Sequence, residues 1–144
     1  MEHPRDPVVA RCLADHDLDL GEHDPRETFG WEKATAKRMV DDEMDVVSDL
    51  QRRLYAEERT ALLIVLQAMD AGGKDGTIRS VLTGVNPAGV DVNAFGAPTD
   101  EELAHDYLWR VHAHTPPKGT IGIFNRSHYE DVLVVRVKGP VSYT

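Results

Sequence analysis

The sequence predicts an α/β fold, a parallel sheet flanked by helices and preceded by an N-terminal amphipathic helix. Three observations predict it. Short Leu, Ile and Val runs without polar alternation, such as ALLIVLQ at 61–67, read as strands covered on both faces, as in parallel sheets. Helical patterns lie between these runs, so the order is helix, strand, helix, strand, helix, strand, from which right-handed crossovers build a parallel sheet. The first strand also breaks into a glycine-rich turn with a single lysine, AMDAGGKDGT at 68–77, before the chain becomes helical.

Taken in order, residues 1–27 scatter Pro4, Pro7 and Pro25 among acids and histidines, the pattern of an extended or partly disordered arm. From Trp31 to Glu58 the periodicity is helical. Val40, Met44, Val47, Leu50 and Leu54 recur every three or four residues, giving a stripe expected to pack on the sheet; a partner helix or dimer seam would use the same stripe. A first strand is expected over Ala61–Gln67 and a helix over Lys74–Leu82, stopped by Gly84 and the Asn86–Pro87 pair. Val90–Phe95 reads as a second strand. Thr99, with Glu102 three residues on, forms a capping-box signature for a helix whose inward side is Leu103, Tyr107 and Leu108. Pro116, Pro117 and Gly119 end that helix, and Thr120–Phe124 is the third strand. DVLVVRV (131–137) fits strand or helix by periodicity.

A chain of 144 residues holds at most one domain and is long enough to bury a core. The longest apolar run, ALLIVL, is far below bilayer length, and MEHPRDPVV lacks the regions of a signal peptide. A single cysteine, Cys12, excludes an intrachain disulfide or a thiolate cluster, which fits the cytoplasm. Net charge is −9; sixteen acidic against nine basic residues precede residue 61, and nine against seven follow. Neither part is a bulk polyanion surface, so nucleic acid is an unfavoured partner. His105, His112 and His114 lack metal-ligand spacing and read as surface side chains.

The glycine-rich turn carries the strongest chemical signal. A turn that feeds a helix leaves unpaired N–H groups at the helix start, facing whatever lies above the strand. Gly72, Gly73 and Gly76 let the backbone approach an anion, Lys74 reaches outer phosphates, and Thr77 adds a hydroxyl. Against the general P-loop string, Ala68 replaces the first glycine and Asp75 the final Ser or Thr. Asp70 is expected at the end of the first strand. Asn125, Arg126 and Ser127 end the third, where open α/β sheets place ligand-facing residues. Glu130 stands four residues past Arg126, and carboxylates at Asp70 and Glu130 suit hydrated magnesium. From these residues alone, plainer readings stand beside the functional ones. Asp70 is also a turn or cap residue, Asp75 also suits the helix dipole, and Arg126 with Glu130 also makes an ordinary (i, i+4) ion pair. Tyr107 and Trp109 read as helix core, whereas Asn93 and Phe95 are candidates for nucleoside contact.

Four ordered segments, MDAGGKDGT (69–77), NPAGVDVNAF (86–95), APTDEELAHDYLWRVH (97–112) and IFNRSHYEDVL (123–133), closely resemble the polyphosphate kinase 2 family. The resemblance covers about residues 28–137 and implies a P-loop kinase fold. It also implies transfer of a phosphoryl group between inorganic polyphosphate and a nucleoside mono- or diphosphate, with Mg2+. By resemblance Asp70, Lys74, Arg126 and Glu130 are the catalytic and metal-associated set. Gly72, Gly73, Lys74, Asp75, Gly76 and Thr77 hold phosphate, Asp75 being the family's own residue there. The resemblance further implies a helix over 131–137 and a homo-oligomer. In that family much of the basic channel and a mobile lid follow the FNRSHYEDVL segment, and this chain stops eleven residues past Leu133. The C-terminal half is therefore expected to be incomplete, with 138–144 an irregular tail. Two other readings are a truncated, catalytically silent phosphate-binding module and an ATP-dependent small-molecule kinase of the thymidylate-kinase sort.

Overall fold

The computed structural model describes residues 19–24, 26–69 and 71–134. Most of the expected 1–27 arm, Asp70, residues 135–137 of the DVLVVRV run and the whole 138–144 tail lie outside the described residues. The chain divides into two compact units, 1–41 and 42–144. In the first, a 3-10 turn at Leu20–Glu22 is set by Asp19, whose Oδ1 accepts from Gly21 N at 2.8 Å, and Asp24 does the same for Arg26 N at 2.9 Å. Such short-range side-chain acceptors are how Asp starts turns.

Helix α1 runs Lys33–Glu57 and crosses the boundary between the units. In the second unit follow β1 (Leu62–Leu66), α2 (Lys74–Val81), a 3-10 turn (Pro87–Gly89), β2 (Val90–Ala94), α3 (Asp100–Leu103), α4 (Trp109–His112), β3 (Ile121–Asn125) and a π-helical turn (Glu130–Val134). The sheet is parallel, with order β1-β3-β2. Leu62 to Leu66 stand beside Ile121 to Asn125, and Val90 to Ala94 stand on the other side of the same five residues. The expected element order therefore holds. Among the described residues, no helix is long and apolar enough to cross a membrane.

The two faces of the sheet are finished differently. On one, Phe95, Phe124 and Val111 form a buried cluster with Val65 and Leu108 packed against it. The Phe95 and Phe124 rings meet edge-on, centroids 4.9 Å apart, the arrangement that ring quadrupoles favour. On the other, Leu62, Ile64, Ile121 and Ile123 face Val47, Leu50 and Leu54 of α1 and Val81, Leu82 and Val85 across an apolar groove of about 570 Å³.

Several sequence expectations change here. β1 is not covered on both faces: Leu62 is 47% and Leu63 41% exposed, because β1 is an edge strand and only β3 is central. In the α1 stripe, Val40 and Leu50 stay exposed, and the one buried residue of the helix is Gln51, 1% exposed, whose amide atoms make no hydrogen bond. That amide lies against Gly89, where a Cβ would collide with it. The helix expected after Thr99 is two short ones. Thr99 forms its capping box with Glu102 as expected, but Asp106 Oδ1 accepts from Leu108 N at 2.8 Å and starts a turn between them. Leu103 and Tyr107 are consequently exposed, and Trp109 is exposed as well, stacked on His105 at 4.2 Å. The run after Ser127 winds as a π-helical turn as far as it is described.

Candidate functional site

The site is built where β1 and β3 end side by side. The turn after β1 closes through Gly72 N donating to Met69 O at 3.0 Å. A Cβ on Gly72 would stand 2.8 Å from Ala68 Cβ and 2.9 Å from Met69 O, so only glycine fits. Gly73 takes φ 81° at the N-cap of α2, a conformation open to glycine at no steric cost. Gly76 meets no such limit, since nothing lies within 4 Å of a Cβ there. Lys74 curls over the turn, its Nζ donating to Ala68 O at 3.1 Å and Met69 O at 3.2 Å. Thr77 Oγ1 donates to Gly73 O at 3.2 Å. A pocket of about 240 Å³ opens above, lined by Gln67, Ala68, Gly72, Lys74 and Thr77 among others.

From β3, Asn125 Nδ2 donates to Asp75 Oδ1 at 2.6 Å, tying the central strand to the first turn of α2. The Asp75 carboxylate thus has a local neutral donor as well as the helix N-terminus. Arg126 has φ 67° and its N donates to Leu66 O at 2.9 Å, so the chain leaves β3 stapled to the last residue of β1. Its Nη1 lies 3.4 Å from Glu130 Oε1. The same oxygen accepts from Gln67 Nε2 at 2.6 Å.

Lys74, Asp75, Thr77, Arg126 and Glu130 are therefore brought to adjacent ends of two paired strands, while Asp70 lies outside the described residues. Two expectations need correction. Ser127 does not face a ligand: it is wholly buried, and its Oγ accepts from Tyr129 N at 3.2 Å to start the π-helical turn. Phe95 is core rather than a nucleoside platform, because it fills the space against Phe124. Asn93 Nδ2 donates to Asp91 Oδ2 at 3.0 Å.

Sequence reading missed two residues. Gln67 is the first polar side chain after β1, the same position rule that singled out Asn125. Arg110 is 5% exposed and sits 5.7 Å over the Phe95 ring. It donates to Gly96 O at 3.0 Å and Asp131 Oδ2 at 3.3 Å, with Glu102 Oε2 at 4.0 Å. It links the loop after β2 to the turn that carries Glu130. Its signal was only that of a cation inside a short amphipathic segment, and nothing local marks such a residue as buried. The Glu102 carboxyl is held below its ordinary value, first by the Thr99 backbone N–H and also by the Arg110 charge. Among the described residues, no group of three or more His, Cys, Asp or Glu gathers as a metal cage.

The sequence profile described as Polyphosphate kinase 2 matches residues 31–143. An AMP/ADP-polyphosphate phosphotransferase of Meiothermus ruber is 55% identical over 133 residues, 91% of this chain and 50% of that protein. An ADP-polyphosphate phosphotransferase of Rhodopseudomonas palustris is 47% identical over 83% of this chain and 42% of its own length. The crystal structure of polyphosphate kinase 2 from Arthrobacter aurescens superimposes with a TM-score of 0.82 at 40% identity, covering 90% of this chain and 48% of that one. The chain thus spans about half the length of these relatives. With the parallel sheet, the lysine turn and the Arg126–Glu130 segment occurring in one collinear match, the chain belongs to the polyphosphate kinase 2 family.

Proposed function

We propose that this chain carries the phosphoryl-transfer site of a polyphosphate-dependent nucleotide phosphotransferase, acting between inorganic polyphosphate and a nucleoside mono- or diphosphate. One observation carries the reading: Lys74 and Arg126, both cations, stand at the adjacent C-terminal ends of β1 and β3, which pair from Leu62–Ile121 to Leu66–Asn125. The names of the Meiothermus and Rhodopseudomonas relatives supply the substrate class. Phosphoryl transfer asks a protein chiefly for alignment and for positive charge where negative charge develops.

In this reading the amides from Gly73 to Gly76 cradle phosphate oxygens in a P-loop, because Gly72 N and Thr77 N are taken by Met69 O and Gly73 O. Lys74 exchanges its two carbonyl acceptors for phosphate, a better partner because the bond is then charge-assisted at both ends. Arg126 presents its planar fork to the transferring group. Asp70 and Glu130 are the carboxylates assigned to Mg2+. A few hard oxygen donors fit an ion that keeps several waters and leans on substrate phosphates. Bound there, the ion would offset phosphate charge. The protein would work in the cytoplasm as a homo-oligomer, with residues 28–137 as its folded unit.

The test is product formation by residues 1–144 from polyphosphate with ADP or AMP, magnesium present and ATP withheld as donor. We expect polyphosphate-driven product that Lys74→Ala abolishes. Product only when ATP is supplied would assign an ATP-dependent kinase, and phosphate binding without any product a catalytically silent module.

A further inference from the structure

We infer that Gln67 is a positioning residue for this site: its side-chain amide holds Glu130 away from full engagement with Arg126. The inference rests on the phosphoryl-transfer reading above. Glu130 Oε1 accepts from Gln67 Nε2 at 2.6 Å and lies 3.4 Å from Arg126 Nη1. The two donors share one oxygen, and the amide holds the shorter bond. The orientation of the amide follows from chemistry, because an ionised carboxylate only accepts and the nitrogen must face it.

Two further observations support a positioning role. The reach of Gln67 is set by backbone, since the residue immediately before it, Leu66, receives the Arg126 N–H at 2.9 Å. The two segments are therefore stapled at consecutive positions, with Gln67 making the side-chain half. The other end of the amide, Oε1, is buried without a hydrogen-bond partner. A buried acceptor left unsatisfied is costly, so the amide is not placed for its own satisfaction; what it secures is the carboxylate. Gln67 and Lys74 also line the same pocket.

The consequence is competition. Without the amide, Glu130 is released to close on Arg126 as an (i, i+4) carboxylate–guanidinium pair, which strengthens as both oxygens engage. A phosphate would then have to displace the carboxylate to recruit the arginine. Gln67 keeps this one pair loose, so that Glu130 adds less to the contacts a phosphate must displace at Arg126.

The experiment is calorimetric titration of residues 1–144 with inorganic tripolyphosphate in the presence of magnesium, for Gln67→Leu, Gln67→Asn, Glu130→Ala and Gln67→Leu/Glu130→Ala, with thermal unfolding of each. Gln67→Leu should weaken binding roughly 3- to 10-fold, the scale of a tightened, partly exposed ion pair. Gln67→Asn, one methylene shorter, should not rescue it. In the Glu130→Ala background, Gln67→Leu should change binding by less than about twofold, while unfolding midpoints show all four proteins folded. A residue that merely supports the turn would weaken binding equally in both backgrounds, and that result, or unchanged binding by Gln67→Leu, would overturn the role. Absence of tripolyphosphate binding by the unaltered chain is a different signal: it would overturn the phosphoryl-transfer reading and the role of Gln67 with it.

Discussion

The two faces of this sheet share three strands and little else. One is closed by the Phe95–Phe124–Val111 cluster and braced by Arg110. The other looks into an apolar groove where Leu62 is nearly half exposed and a buried glutamine takes the place of an aliphatic residue. Stability and site chemistry are accordingly divided. The closed face holds the aromatic cluster, the groove face keeps Ile121 and Ile123 buried, and the strand ends hold the cations. A residue's hydrophobicity therefore says less about its worth than which face it occupies.

Five substitutions sharpen or break that contrast, each read by urea or thermal unfolding. Phe124→Ala, at the centre of the closed face, should cost about 3–5 kcal/mol, the range for emptying an aromatic from a packed core. Arg110→Met should cost about 2–3 kcal/mol. That is less than for a fully buried pair, because Asp131 and Glu102 keep 22% and 25% exposure and can hydrate. Thr99→Ala should cost about 1 kcal/mol through loss of the helix cap. Its partner adds a pH signature. Glu102 is held below its ordinary value of 4.5, so its contribution is complete above that pH and fades as pH falls through the lowered value. The difference between the unaltered chain and Glu102→Ala should therefore shrink on acidification. Leu62→Ala, on the open face, should cost no more than about 1 kcal/mol, since much of its surface is already wet. A loss equal to that of Phe124→Ala would show that the groove is closed in solution and would end the contrast.

Much of this architecture was readable from the sequence because it rests on local rules. The order of elements, the Thr99–Glu102 capping box, and the gathering of Lys74, Arg126 and Glu130 follow from periodicity, cap chemistry and strand-end position. What escaped depends on neighbours far along the chain. LLIVL and IGIFN carry the same apolar signal, yet β3 is buried and β1 half exposed, because strand order decides which is central. Tyr107 and Leu103 were expected inside a helix that Asp106 interrupts by accepting one backbone N–H. Gln51 and Arg110 are polar residues whose burial is fixed by Gly89 and by Gly96, Asp131 and Phe95, none of them sequence neighbours. Phe95 was misread because a strand-end aromatic serves a core or a ligand equally well until the facing residue is known.

The left-handed backbone at Arg126 has a consequence for how such sequences drift. A side chain other than glycine costs about 1–2 kcal/mol in that conformation, so folding alone would favour glycine or asparagine here. Libraries randomised at codon 126 and selected for heat resistance should enrich those two residues. The same library selected for polyphosphate-dependent transfer should retain arginine. Comparing residue frequencies between the two surviving pools would reveal, without a single rate measurement, which of the two pressures this position answers to.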